Sequence, residues 1–236
     1  MREKEPEFDR NKHLIYSSEC RKVILNHLHR HYPDAQAEQL WKDIRRDYCT
    51  VVDLIPYLGG KKNSQSQAVY DCAALFSYYR CVPQKPSLQE FSEMNEELFV
   101  PTFTRLGFLD LNRPLLMKVA DGIWRHLARV NAEKREEWPG NYIMEMVSCC
   151  EGSKYVFQRC PIAELAKKLQ LSEMMPAMCN PDYPMLKAIH GGLIRKSTCA
   201  NGDCCDFWIV PDQSRLLEKY PCHRDERGFI TNETEE

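Results

Sequence analysis

The chain has 236 residues, 43% hydrophobic and 28% charged, enough apolar material for one large domain or two small ones. Its 32 basic and 34 acidic residues leave a net charge of −2, without the cationic surface of a nucleic-acid binder or the Lys/Arg excess of a membrane-surface binder. The opening Met1-Arg2-Glu3-Lys4-Glu5-Pro6 lacks the apolar core of a signal peptide, and no apolar run reaches the roughly 20 residues of a membrane span, so a cytoplasmic setting without nucleic-acid or membrane partners is expected.

The first half reads as helical. From Asp9 to about His31, the residues Leu14, Ile15, Val23, Ile24 and Leu28 fall near helical spacing among charges. Pro33 ends that segment and Asp34 is placed to cap the next, over 35–55, where Ala37, Leu40, Trp41, Ile44, Tyr48, Val51 and Val52 make a stripe. Gly59-Gly60 opens a loop, and 65–81 predicts a third helix. Ser87 with Glu90 forms a capping-box pattern for a fourth. The longest helical pattern runs over 112–137, with Pro114 in its first turn and Leu115, Leu116, Val119, Ile123, Trp124 and Leu127 as its apolar face.

After Pro139-Gly140 the pattern changes. Residues 142–149 and 155–159 have strand character around a Glu151-Gly152-Ser153 turn. A short helix follows over 161–171, then a stretch punctuated by Pro176, Pro181 and Pro184. A second hairpin is expected from 193–198 and 205–210, turning at Asn201-Gly202. The expected fold class is α+β, with a helical N-terminal half packed with an antiparallel sheet of two β-hairpins and intervening helices. No linker or repeat divides the chain, so a single domain over 1–236 is expected. It would comprise a mainly helical region at 1–138, an α+β region at 139–223 and a frayed tail at 224–236.

Twelve cysteines in such a setting should be thiols, most of them acting as small buried hydrophobes. The chain has no phosphate loop, dinucleotide fingerprint, G-x-S-x-G or H-E-x-x-H. His27, His29 and His31 read as a polar helix face. No C-x-x-C pair signals a zinc ribbon, and a metal site from Cys160, Cys179, Cys205 and His190 is not indicated by spacing, so no cofactor is predicted. Neighbours Cys204 and Cys205 must point to opposite faces of a strand. The run Asn201-Gly202-Asp203-Cys204-Cys205-Asp206-Phe207 places two carboxylates beside two thiols. It can be read as reactive chemistry, or as Asp203 holding turn amides while Cys205 packs in the core.

Three ordered blocks carry a resemblance: Phe157-Gln158-Arg159-Cys160-Pro161-Ile162, Met178-Cys179-Asn180-Pro181-Asp182-Tyr183, and Leu193 through Phe207. Together they resemble the L-2-amino-thiazoline-4-carboxylic acid hydrolase family. The resemblance implies hydrolysis of a small cyclic C–N/C–S substrate, giving a product of the N-carbamoyl-cysteine type. It makes Cys205, Asp206, Asp182, Cys179, Cys160 and His190 the catalytic candidates, and Arg195, Asp203 and Asn201 the substrate-binding candidates. The last block is also similar to small-molecule-binding domains of the 4-vinyl reductase type, which implies a ligand or metal sensor without catalysis. A third reading is a scaffold for protein partners, which an exposed apolar stripe on the 112–137 helix would support.

Overall fold

A computed structural model describes residue 9 and residues 11–233. The opening Met1–Pro6 segment lies outside the described residues. The first half holds α1 (Ser18–His31), α2 (Asp34–Val52), α3 (Ser66–Cys81), α4 (Leu88–Arg105) and α5 (Pro114–Glu133). The chain then forms β1 (Ile143–Val147), β2 (Ser153–Arg159), α6 (Pro161–Lys168), α7 (Met175–Cys179), α8 (Asp182–Lys187), β3 (Gly191–Ile194) and β4 (Cys205–Pro211). It closes with α9 (Leu216–Lys219), β5 (Cys222–Arg224) and β6 (Ile230–Asn232). The class is α+β, as the sequence pattern predicts.

The helices start where local chemistry directs. Ser17 caps α1 by accepting from the Cys20 amide, and the reciprocal Ser87–Glu90 capping box opens α4. Asp34 is the first residue of α2 and does not cap it; the extended backbone of Pro33 fills that position. Residue 9 and residues 11–17 are not helical. Tyr48 donates its hydroxyl to the Leu14 carbonyl, and the Ser17 amide donates to Asp71, so side chains of α2 and α3 hold that strap against the bundle. The stretch punctuated by Pro176, Pro181 and Pro184 folds as the two short helices α7 and α8. Pro176 falls in the first turn of α7, where a missing N–H costs nothing.

Central helix α3 is buried continuously from Val69 to Tyr78, ringed by α1, α2, α4, α6 and α7 in one hydrophobic cluster. A second cluster joins α5, α8 and one face of the sheet. The four strands run in the order β1-β2-β4-β3, all antiparallel. A buried amide chain ties α5 to the helical side: Asn63 donates to Asn141, Asn141 to Asn131, and Asn131 to Gln65.

Three further expectations need correction. The second strand pair is not a tight Asn-Gly hairpin, because β3 stops at Ile194 and residues 195–204 form a loop. Arg195 leaves the sheet there: its amide donates to the Asn232 side chain, and its carbonyl accepts from the Asn232 amide. The segment 222–232 is a two-stranded sheet rather than a frayed end, anchored by Phe229, which has no exposed surface, while 234–236 lie outside the described residues. The apolar face of α5 is not wholly buried either. Met117, Ala128 and Asn131 face inward, whereas Leu115, Val119 and Ile123 are exposed.

Candidate functional site

A cavity of about 340 Å³ lies where the two hydrophobic clusters meet. The helical side contributes Ala163 of α6, Met175, Met178 and Cys179 of α7, and Asp182 of α8. The sheet contributes Tyr155 and Phe157 of β2 with Cys205 and Phe207 of β4. Cys160 and Ile162 at the start of α6, Trp124 of α5, Tyr142, and the loop residues Thr198, Cys199 and Ala200 complete most of the wall. Size and apolar character match an ordinary small-molecule site.

Strand alternation explains the sheet wall. Tyr155 pairs with Phe207 and Phe157 with Cys205 across β2 and β4, so all four share one face. The Tyr155 and Phe207 rings stack at 5.1 Å and 9°, with Phe157 edge-on to both. The same alternation separates the adjacent thiols: Cys205 is buried in the wall, while Cys204 is half-buried outside it.

Asp182 is the charged side chain of this wall. Its Oδ2 accepts from Arg195 Nη1 at 2.7 Å. Arg195 has no exposed side-chain surface. Its Nη2 donates to the Cys179 carbonyl, and the guanidinium lies 5.1 Å from the Tyr183 ring centre and 5.6 Å from that of Phe207. Burial raises the Asp182 pKa, against the pull of Arg195. The thiols are raised too. Cys160 occupies the N-cap position of α6, where the Ala163 and Ile162 amides favour its thiolate, yet burial outweighs them and pushes it up to about 12. Burial likewise takes Cys179 to about 12, against Arg195, and Cys199 to about 11, and raises Cys205 well above the usual range. At neutral pH these groups are S–H, weak acids and weak nucleophiles.

The structure thus gathers Cys160, Cys179, Asp182 and Cys205 in one cavity, with Arg195 immediately behind Asp182. The other candidates lie elsewhere. Asp206 points to the opposite face of β4, where its carboxylate accepts the Lys196 and Ser197 amides and shapes the 195–204 loop. Asn201 Oδ1 accepts from the Thr198 amide and hydroxyl within the same loop, and Asp203 is exposed. His190 has a left-handed backbone (φ 58°) and sits half-exposed 3.4 Å from Asp212, outside the cavity. Among the described residues no group of three or more His, Cys, Asp or Glu is placed to hold a metal ion. His27, read as part of a polar face, is buried against α4 with its Nε2 3.6 Å from Glu97. The aromatic and methionine walls were not among the candidates. Their signal was present as the period-two pairs Tyr155/Phe157 and Cys205/Phe207, but only strand pairing shows that they share one face.

Residues 110–209 match the model of the family described as L-2-amino-thiazoline-4-carboxylic acid hydrolase. The matched segment spans α5 through most of β4 and contains all three motif blocks and none of the bundle helices α1–α4. No curated protein and no solved structure matches the chain. No helix among the described residues is long and apolar enough to cross a membrane.

Proposed function

We propose that the cavity, walled largely by residues of the 110–209 segment that matches the hydrolase family, is an active site for hydrolytic opening of a small cyclic amidine. The family's named substrate, L-2-amino-thiazoline-4-carboxylate, is the reference case. One observation carries the reading: residues from all three motif blocks meet at one cavity whose charged wall residue is Asp182. Burial raises the Asp182 pKa and Arg195 pulls it back down, opposing effects that suit a carboxylate that takes up and returns a proton.

In that chemistry water oxygen adds to the amidine carbon while Asp182 accepts one of its protons. The bond from that carbon to the ring sulfur then breaks: the proton held by Asp182 passes to the departing sulfur, which leaves as a thiol, and the added hydroxyl becomes the carbonyl as its proton goes to the former imine nitrogen, which becomes an N–H. One water is consumed and no oxidant is needed. The raised pKa values of Cys160, Cys179, Cys199 and Cys205 favour this route over a thiolate nucleophile.

The test is mass-spectrometric detection of N-carbamoyl-cysteine from L-2-amino-thiazoline-4-carboxylate by wild type, Asp182→Asn, Cys205→Ala and Asp206→Asn, each checked for folding. Turnover that falls at least a hundredfold in folded Asp182→Asn and persists in Cys205→Ala supports the reading. No turnover by folded wild type removes that substrate. The apolar wall and protonated thiols favour a second reading, a ligand-binding site without catalysis, which tight binding with no turnover of any cyclic amidine would support.

A further inference from the structure

We infer that the cavity takes a ligand with a cationic nitrogen head, an amidinium or an ammonium, on a flat aromatic or branched apolar body that carries no carboxylate. The inference rests on reading this cavity as the substrate site and adds the class of molecule that fills it.

Charge is the first reason. No Lys, Arg or His is among the described residues lining the cavity, and Asp182 is. Arg195 presents no N–H to the cavity, because its side chain has no exposed surface: its Nη atoms are held by Asp182 and the Cys179 carbonyl, and its Nε, though without a hydrogen-bond partner, is buried. A ligand carboxylate inside would lose its water beside a like charge with no cation to receive it. An amidinium meets the opposite situation. The bond from Arg195 uses Oδ2 of Asp182, the side chain keeps 30% of its area exposed, and no hydrogen bond from the described residues reaches Oδ1. A planar N–H fork can donate there as a charge-assisted pair.

Shape is the second reason. The stacked Tyr155 and Phe207, with Phe157 edge-on and Trp124 5.1 Å from Tyr155, offer aromatic faces that favour a flat ring and attract a cation. The volume of about 340 Å³ equals roughly eleven liquid-water volumes at about 30 Å³ each. A five-membered ring bearing only an amino group and a carboxylate would leave much of that apolar space to water. An apolar arm on the ring would fill it.

The probes are benzamidine, benzamide and benzoate, three near-isosteres that differ in charge, titrated calorimetrically into the full-length chain at neutral pH. Benzamidine is expected to bind at least tenfold tighter than benzamide, and benzoate not detectably. In Asp182→Asn the benzamidine advantage should shrink to less than twofold. Should that variant not fold, Ala163→Phe, which narrows the cavity from α6, should weaken benzamidine and benzamide together. Benzoate binding as tightly as benzamidine, or no benzamidine binding to wild type, overturns the inference. The series needs no turnover, so its failure is separate from that of the catalytic reading. A protein that prefers benzamidine but opens no ring loses only the catalytic reading. One that hydrolyses L-2-amino-thiazoline-4-carboxylate with a lower KM than its 4-phenyl, carboxylate-free analogue loses only this inference.

Discussion

Arg195 Nη1 and Asp182 Oδ2 stand 2.7 Å apart across the back of the cavity, the first without exposed surface and the second open on one side. The pair joins the loop after β3 to the start of α8, and removing one member strands the other. Arg195→Met should cost about 3–5 kcal/mol at pH 8 in urea unfolding, the usual cost of breaking a buried pair. Burial already raises the Asp182 pKa, and losing Arg195 raises it further. A carboxyl with a folded pKa above its unfolded value stabilises the fold when protonated, and that contribution fades as pH rises through the folded value. The loss should therefore be smaller at pH 5 than at pH 8, and Arg195→Met/Asp182→Leu should recover part of it. Equal losses at both pH values would contradict the assignment.

Thiol chemistry should divide the cysteines by place. Cys150 and Cys222 are exposed, whereas Cys160 and Cys179 are raised to about 12 and Cys199 to about 11 by burial. Alkylation requires the thiolate. Iodoacetamide at pH 8 followed by peptide mass mapping should label Cys150 and Cys222 at least tenfold faster than the cavity thiols. Raising the pH toward 10 should speed the labelling of the cavity thiols, whose thiolate fraction is still climbing there. Fast labelling of Cys160 at pH 8 would instead mark it as an activated nucleophile.

Elements driven by local chemistry were legible in the sequence: the Ser87–Glu90 capping box, Pro114 opening α5, and the β1–β2 turn at Gly152 all stand where the residues indicate. Of the residues that the motif blocks single out, Cys160, Cys179, Asp182 and Cys205 line one cavity. What stayed hidden depends on distant partners. The Asn201-Gly202 pair promised a tight turn, but Asn232, more than thirty residues away, takes Arg195 out of the sheet first. Asp206 and Cys205 are equivalent neighbours in sequence, and the pairing of β2 with β4 decides that one faces the loop amides and the other the cavity. Partners so far apart leave no periodic trace.

Two buried histidines should make the fold acid-sensitive. Burial lowers the pKa of both His13 and His27 below 6.5, in opposition to the nearby Asp53 and Glu97. A histidine with a depressed folded pKa is neutral in the native state and becomes charged in the unfolded chain first. Its contribution is thus intact above about pH 6.5 and lost as pH falls toward the folded value. Unfolding free energy should drop with acidification below that point, with a slope of up to about 1.4 kcal/mol per pH unit for each proton. His13→Gln/His27→Gln should flatten the profile between pH 6.5 and 5. An unchanged slope in the double variant would assign the acid sensitivity to the carboxylates.

Gly152 is the position where the hairpin admits no side chain. Its φ is +74°, and a Cβ built on it would run into the Ile209 carbonyl oxygen of β4. A left-handed backbone alone costs an L-residue about 1–2 kcal/mol. The clash with backbone adds to this, because β4 cannot retreat without loosening its pairing with β2, which carries Tyr155 against Phe207. Gly152→Ala should therefore destabilise by more than about 2 kcal/mol in chemical denaturation. It should also weaken benzamidine binding, because the disturbed strands form the aromatic wall. Gly122→Ala is the control: a Cβ there meets nothing within 4 Å, on a helix where alanine is preferred to glycine by up to about 1 kcal/mol, so stability should hold or rise. If both substitutions were neutral, the β2–β4 register around Gly152 would have to be different.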